Sequence, residues 1–173
     1  GDLVDHMGFQ DVLAFTGSAD TGTLLRSKEN IIRNSVRVNV EADSLNSAVL
    51  GPDAEHQSET YDMFLREVIK DMTQKAGQKC TAIRRIFVPE ALLDTVLEDL
   101  GEQLGSMKTG NPNSKGVRIG PLSTASQLRD ALAGIEKLKS CAEVVHGGER
   151  GELVDVPEGQ GYFLSPTVLC ARE

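Results

Sequence analysis

Asp11-Val12-Leu13-Ala14-Phe15-Thr16-Gly17-Ser18-Ala19-Asp20-Thr21-Gly22 is the stretch on which the fold turns. Asp11 to Thr16 is short and mostly apolar, as a strand requires, and Gly17-Ser18, followed by Asp20 and Gly22, reads as a turn feeding a short helix through Arg26. Strand and helix then keep alternating. In Ser35 to Glu41 the residues Val36, Val38 and Val40 share one face of a strand and Arg37, Asn39 and Glu41 the other, so Glu41 leaves the strand on its polar side. His56 to Lys75 places Phe64, Leu65, Val68, Ile69 and Met72 at helical spacing, with Gly77 where such a helix would stop. Ile83 to Val88 is strand-like, and Pro89 opens a helix carrying Leu92, Leu93, Val96, Leu97, Leu100 and Leu104 on one side. Gly105 to Leu122, with Asn111-Pro112-Asn113, Gly116 and Gly120-Pro121, reads as a long loop with several fixed turns. A further helix, Ser123 to Lys139, leads to short strands at Glu143 to Val145, near Leu153 to Val156 and at Thr167 to Leu169. This rhythm implies an α/β layer fold.

Composition narrows the class of function. With 18 Lys+Arg against 26 Asp+Glu the formal charge is −8, and no basic block interrupts it, so nucleic acid and anionic membrane are poor partners. At 39% apolar and 25% charged the chain is globular, and no apolar run approaches the ~20 residues of a membrane span. With no Trp, two Tyr and five Phe, aromatic stacking pockets are hard to build. The first ten residues lack the basic start and apolar core of a signal peptide, and three cysteines at scattered spacing suggest no disulfide frame, so a reducing, cytoplasmic compartment is the default expectation.

Cys80 has the unusual setting among the cysteines. It follows Gly77-Gln78-Lys79 at the end of a long helix, and Lys79, Arg84 and Arg85 bias the local field positive, which favours a thiolate. Read from these residues alone, Cys80 is either a nucleophile or an inert buried thiol, and Glu41 either its carboxylate partner or a solvated strand-end glutamate. Cys141 and Cys170 are expected to be small core residues. Gly17 and Gly22 serve a ligand or simply a turn. The spacing of His6, His56 and His146 suggests no metal site. Arg84-Arg85 reads as a solvated strand flank, with binding of a ligand's phosphates as the alternative.

The whole string resembles the aldehyde dehydrogenase superfamily. Phe15-Thr16-Gly17-Ser18 with Gly22 is similar to its strand-to-helix cofactor turn, Glu41 stands where its active-site glutamate motif begins, and Gly77-Gln78-Lys79-Cys80 matches its Gly-Gln-x-Cys nucleophile signature. Gly120-Pro121-Leu122, Gly147-Gly148 and Gly161-Tyr162-Phe163-Leu164-Ser165-Pro166-Thr167-Val168 resemble further landmarks in the right order. Where most of the family reads Glu-Leu-Gly-Gly-Lys, this chain has Glu41-Ala42-Asp43-Ser44-Leu45-Asn46. That departure resembles the semialdehyde dehydrogenases that act on coenzyme-A-linked ring-cleavage products in aerobic phenylacetate and benzoate breakdown, the oxepin-CoA hydrolase/semialdehyde dehydrogenase type. In phenylacetate breakdown that subgroup's dehydrogenase is fused to an enoyl-CoA-hydratase-like domain, of which nothing is visible in this sequence.

The resemblance implies a three-layer α/β catalytic domain over residues 41–173, preceded over 1–40 by the tail end of a Rossmann-like dinucleotide-binding domain. It implies Cys80 as nucleophile, Glu41 as the base for thioester hydrolysis, Gly17 and Ser18 at the pyrophosphate of NADP or NAD, NADP being slightly preferred, and Gly22 as the cofactor-turn glycine that allows close approach of helix and backbone. The substrate implied is a small-molecule aldehyde, the subgroup adding the option of a coenzyme A linkage, and the full-length parent is expected to be a homo-oligomer. Family enzymes are much longer, so the chain is expected to be a catalytic core fragment. Missing would be most of the cofactor domain, with its oxyanion-holding asparagine, and a second cofactor glutamate beyond Thr167. The alternatives are a folded structural or interaction fragment without activity of its own and, a distant third, a cysteine hydrolase, for which no histidine lies in a supporting motif.

Overall fold

The Asp11–Gly22 stretch folds as a strand, a turn and a helix: β1 (Val12–Gly17) runs through Ser18 into α1 (Ala19–Arg26). Ser18 caps that helix, its hydroxyl accepting the N–H of Thr21 at 3.2 Å. The computed structural model describes Asp2 to Arg172, and the chain divides into two compact units, Gly1–Leu45 and Asn46–Glu173. Glu41 therefore belongs to the first unit and Cys80 to the second.

In the first unit a second helix, α2 (Glu29–Arg33), follows α1 before β2 (Arg37–Ala42) returns parallel to β1, in register from Val12 opposite Arg37 to Gly17 opposite Ala42. The sequence reading misses α2. It has five residues, too few to display a period, and its N-cap, Lys28, makes no side-chain capping bond. It forms because Ile31 is pulled into a small core with Val4 and Val36, against which Leu13, Leu25 and Val38 pack. Gly22 is buried in α1, where a Cβ would lie 2.6 Å from Val40 Cγ1, so the absent side chain is what lets the helix settle onto β2.

The second unit opens with β3 (Asn46–Val49), which the sequence reading also misses, and α3 (Glu59–Thr73), which starts at its N-cap Ser58. β4 (Ile83–Phe87) then pairs parallel with β3. Pro89 does open a helical segment, but the first turn, Glu90–Leu92, is a 3₁₀ turn before α4 (Leu93–Gly105). The expected loop over 105–122 contains two short strands, β5 (Lys108–Gly110) and β6 (Val117–Ile119), paired in parallel. Three residues per strand are too few for alternation to be seen in sequence. α5 (Ala125–Leu138) starts with a reciprocal capping box, Thr124 with Gln127. β7 (Glu143–His146), β8 (Leu153–Val154) and β9 (Val168–Cys170) follow, β8 on the other side of β5 from β6 and β9 antiparallel to β7.

The core of this unit lies between α3, with Tyr61, Leu65, Val68 and Ile69, and α4, with Val96, Leu100 and Leu104. Apart from Tyr61, these are residues that helical spacing assigns to the inner faces. On α5 only Ile135 is buried, while Leu132 and Leu138 are exposed. Among the described residues no helix is long and apolar enough to cross a membrane.

Candidate active site

Cys80 owes its position to the way α3 ends. After Thr73 the chain reverses hand: Lys75, Ala76 and Gly77 take φ of 55°, 53° and 70°. Glycine enters this left-handed region freely and the other two do so at a cost, so the reversal is held by its surroundings. One such hold is the Arg84 guanidinium, which donates to the Gly77 carbonyl at 3.0 Å. Gln78 reaches a distant part of the chain, its amide donating to the Pro121 carbonyl at 3.3 Å and its oxygen accepting the Ser123 N–H at 2.9 Å. The sequence landmarks at 77–80 and 120–122 thus meet through one side chain. The second of them in turn meets 161–168 through the Leu122 N–H, which donates to the Tyr162 carbonyl at 2.7 Å.

A tight turn follows, closed by the Ala82 N–H donating to the Lys79 carbonyl at 3.1 Å, with Cys80 at its first corner. Asp71, from the last turns of α3, straddles it: one carboxylate oxygen accepts the Lys79 ammonium and the other the Ile83 N–H at 2.8 Å. The hydrogen bond from Lys79, with help from Ile83, outweighs partial burial and holds the Asp71 carboxyl below the usual carboxylate range. Asn46, the first residue of β3, donates both amide protons into the turn, to the Cys80 carbonyl at 2.8 Å and the Ala82 carbonyl at 3.2 Å.

Cys80 is exposed and lines a cavity of about 1210 Å³ whose other walls include Leu122, Gln127, Leu164 and Thr167. A thiol on a fixed turn at the wall of a cavity can meet a small electrophile. Of the charges that bias this field in the sequence, Lys79 is matched by Asp71, while Arg84 keeps its charge and donates to the turn backbone. Arg85 lies over the Phe87 ring at 5.8 Å. The two remaining cysteines differ from one another. Cys170 is buried as expected, but Cys141 is exposed, because it falls in the turn between α5 and β7 and not in the strand.

In the first unit the structure gathers Gly17, Ser18, Gly22 and Glu41 at the carboxyl ends of two parallel strands, the edge at which α/β sheets hold ligands. Glu41 sits opposite Thr16, exposed, one residue from the end of β2. Just beyond, Asp43 takes φ of 48° and accepts the Ala19 N–H at 3.1 Å, placing a carboxylate at the N-terminus of α1. Asn46, Asp71 and Asp43 are invisible as site residues in the sequence. Each is an ordinary polar residue whose partner lies far along the chain, 34 residues away for Asn46 and Cys80, 12 for Asp71 and Ile83, and 24 for Asp43 and Ala19, and only the fold names that partner.

The chain is 45% identical over 169 residues to the 3,4-dehydroadipyl-CoA semialdehyde dehydrogenase of Aromatoleum evansii, covering 97% of this chain and 33% of that protein. It is 31% identical over 159 residues to aldehyde dehydrogenase family 7 member B4 of Arabidopsis thaliana, covering 91% of this chain and 29% of that one. It thus spans about a third of the length of the curated relatives it matches. Among solved structures, the NAD+ complex of an aldehyde dehydrogenase from Bacillus cereus superposes with a TM-score of 0.76 at 28% identity, over 92% of this chain and 30% of that one. HpcC from Thermus thermophilus superposes with a TM-score of 0.79 at 25% identity, over 91% and 30%. The aldehyde dehydrogenase family model matches residues 1–172, the same span that carries the glycine turn and the clamped cysteine, and the chain belongs to that family.

Proposed function

We propose that this chain is the nucleophile-bearing part of an NAD(P)-dependent aldehyde dehydrogenase that oxidises a coenzyme-A-linked semialdehyde to the carboxylic acid during breakdown of aromatic acids. The observation that carries the reading is the Cys80 turn, its thiol exposed on a cavity wall while the backbone around it is pinned by Asn46, Asp71 and Gln78. The 45% identity to a CoA-semialdehyde dehydrogenase supports the substrate class. In this reading residues 1–40 close a dinucleotide-binding domain and 41–173 form the catalytic domain, in a cytoplasmic homo-oligomer that favours NADP over NAD.

The dinucleotide is assigned to the carboxyl edge of β1 and β2, where Gly17 and Ser18 would face the pyrophosphate while Gly22, having no Cβ, lets α1 lie close to β2. The Ala19 N–H at the start of α1 is taken by an Asp43 carboxylate oxygen at 3.1 Å, so a pyrophosphate reaching that N–H would have to displace the carboxylate. When bound, NAD(P) supplies the two-electron acceptor that takes the substrate's hydride. The chain's own groups do the rest. The Cys80 thiolate forms a bond to the aldehyde carbon while the carbonyl π pair moves onto oxygen, where the Cys80 N–H stabilises the charge. Loss of hydride restores the C=O as a thioester. Glu41 takes a proton from water, the water oxygen adds to the thioester carbon, and the C–S bond breaks to release the acid and return the thiolate.

In the full chain, Cys80→Ala should lower aldehyde oxidation at least about a thousandfold, while Cys141→Ala and Cys170→Ala keep it within about threefold. Glu41→Gln should yield one equivalent of reduced cofactor in a burst and then stall on the thioester. Equal losses at all three cysteines would sink the nucleophile assignment, and a normal steady state in Glu41→Gln the base assignment.

A further inference from the structure

Asn46 begins β3 at the point where the ladder with β4 slips: Asn46 pairs with Ile83 but its neighbour Ser47 pairs with Arg85, so Arg84 is the extra residue of a bulge. Strand pairing stops there, and the Asn46 side chain takes over. Its amide has two protons to give, and both go to one turn, to the carbonyls of Cys80 at 2.8 Å and Ala82 at 3.2 Å. Those carbonyls flank Thr81, and the same turn is closed from within by the Ala82 N–H on the Lys79 carbonyl. Fixing the Cys80 carbonyl fixes the torsion between the Cys80 Cα and its carbonyl carbon, and with it the direction in which the side chain leaves the turn.

We infer that Asn46 is a positioning residue for Cys80, holding the thiol in line for attack without touching the substrate. The inference rests on Cys80 being the nucleophile. A donor is required and no other side chain of this size supplies it: alanine removes both bonds, and aspartate keeps the shape but turns acceptor oxygens toward two carbonyl oxygens. Attack by a positioned group is sensitive to displacement, with ~1 Å costing on the order of a hundredfold in rate. Generic alkylation of the thiol, which accepts many approach directions, is far less sensitive.

The three cysteines make the test internally controlled, since Cys80 and Cys141 are exposed and Cys170 is buried. Asn46→Ala and Asn46→Asp are made in the full chain and assayed with butanal and NADP or NAD. Iodoacetamide labelling of each cysteine is followed peptide by peptide. Expected are a fall in kcat of about tenfold to a hundredfold with KM within about threefold, Asp no better than Ala, Cys80 labelled at close to its original rate, and Cys170 still protected. The inference is overturned if Asn46→Ala keeps kcat within about twofold, if Asp rescues what Ala loses, which would mean the side chain only fills space, or if both variants expose Cys170, which would mean that Asn46 merely holds the fold. A Cys80→Ala chain that still oxidises butanal would defeat the nucleophile reading itself, and is a different result from any of these.

Discussion

Asp43 shows how a departure from a family pattern can be a conservative choice in backbone terms. Counted from Glu41 it is the third residue of the motif, where most of the family has the first glycine of Glu-Leu-Gly-Gly-Lys, and its φ of 48° lies in the region glycine enters freely. Aspartate is among the few other residues that tolerate this conformation, and here its carboxylate also accepts the Ala19 N–H. Alanine at this position would lose the bond and meet the left-handed penalty together. Asp43→Ala is therefore expected to lower stability by about 1–3 kcal/mol, from a strain of roughly 1–2 kcal/mol and a helix-terminus bond worth on the order of 1 kcal/mol. Asp43→Asn should cost well under half as much. Urea unfolding of the two variants beside the parent checks this, and an Ala variant as stable as the parent would show that the conformation at 43 is not held by the fold.

At the scale of elements, α3 and α4 are joined by a polar contact inside an apolar interface. The Tyr61 hydroxyl donates to Asp99 at 2.5 Å, the residue is 1% exposed, and the His56 ring meets its ring edge-on at 5.1 Å. Burial, then the Asp99 hydrogen bond, pushes the Tyr61 phenol well above the usual tyrosine range. The folded state thus favours the neutral phenol. The stability this brings is present below the ordinary tyrosine value of about 10 and is lost as pH rises through the raised one. Phenolate absorbance from Tyr61 should appear only together with loss of helical circular dichroism. Tyr162, at 40% exposure, serves as the comparison in a Tyr61→Phe chain. An ionised Tyr61 in a chain with full helical signal would contradict the packing. These helices are also the elements most legible in the sequence, because α3 and α4 repeat their apolar face over 15 and 13 residues. β3, β5 and β6 are three or four residues long and exist by virtue of pairing with other strands, which no local pattern announces. The candidate residues divide the same way. Cys80 and Glu41 are proposed from motif and strand end, whereas Asn46 and Asp71 act through backbone groups whose placement depends on the closed turn. Cys141 is misplaced by sequence reasoning because the burial habit of free cysteine says nothing about a residue that falls in a turn.

Across the molecule the two units rest on cores of different size. Val4, Ile31 and Val36 form the buried hydrophobic cluster of the first, while a larger set running from Leu50 to Val168 forms that of the second. Local opening is governed by how much apolar contact must be broken. Amides of β1 and β2 should therefore exchange with solvent deuterium faster, by at least about tenfold, than those of α3 and α4 under native conditions. Peptide-resolved mass spectrometry reads both in one sample. Equal protection throughout would mean that the chain opens only as a whole.

The reversal of hand at Lys75, Ala76 and Gly77 has a consequence in the chemistry of mirror images. An L-residue is penalised by about 1–2 kcal/mol in the left-handed region for the same steric reason that its D-counterpart would be at ease there. Ala76 is thus a position at which a protein assembled by chemical synthesis with D-alanine should be more stable than the natural one. Cys80 follows it within a single turn's length of chain. The chain approaches Cys80 through a short run of backbone whose handedness suits the enantiomer of the alanine it carries.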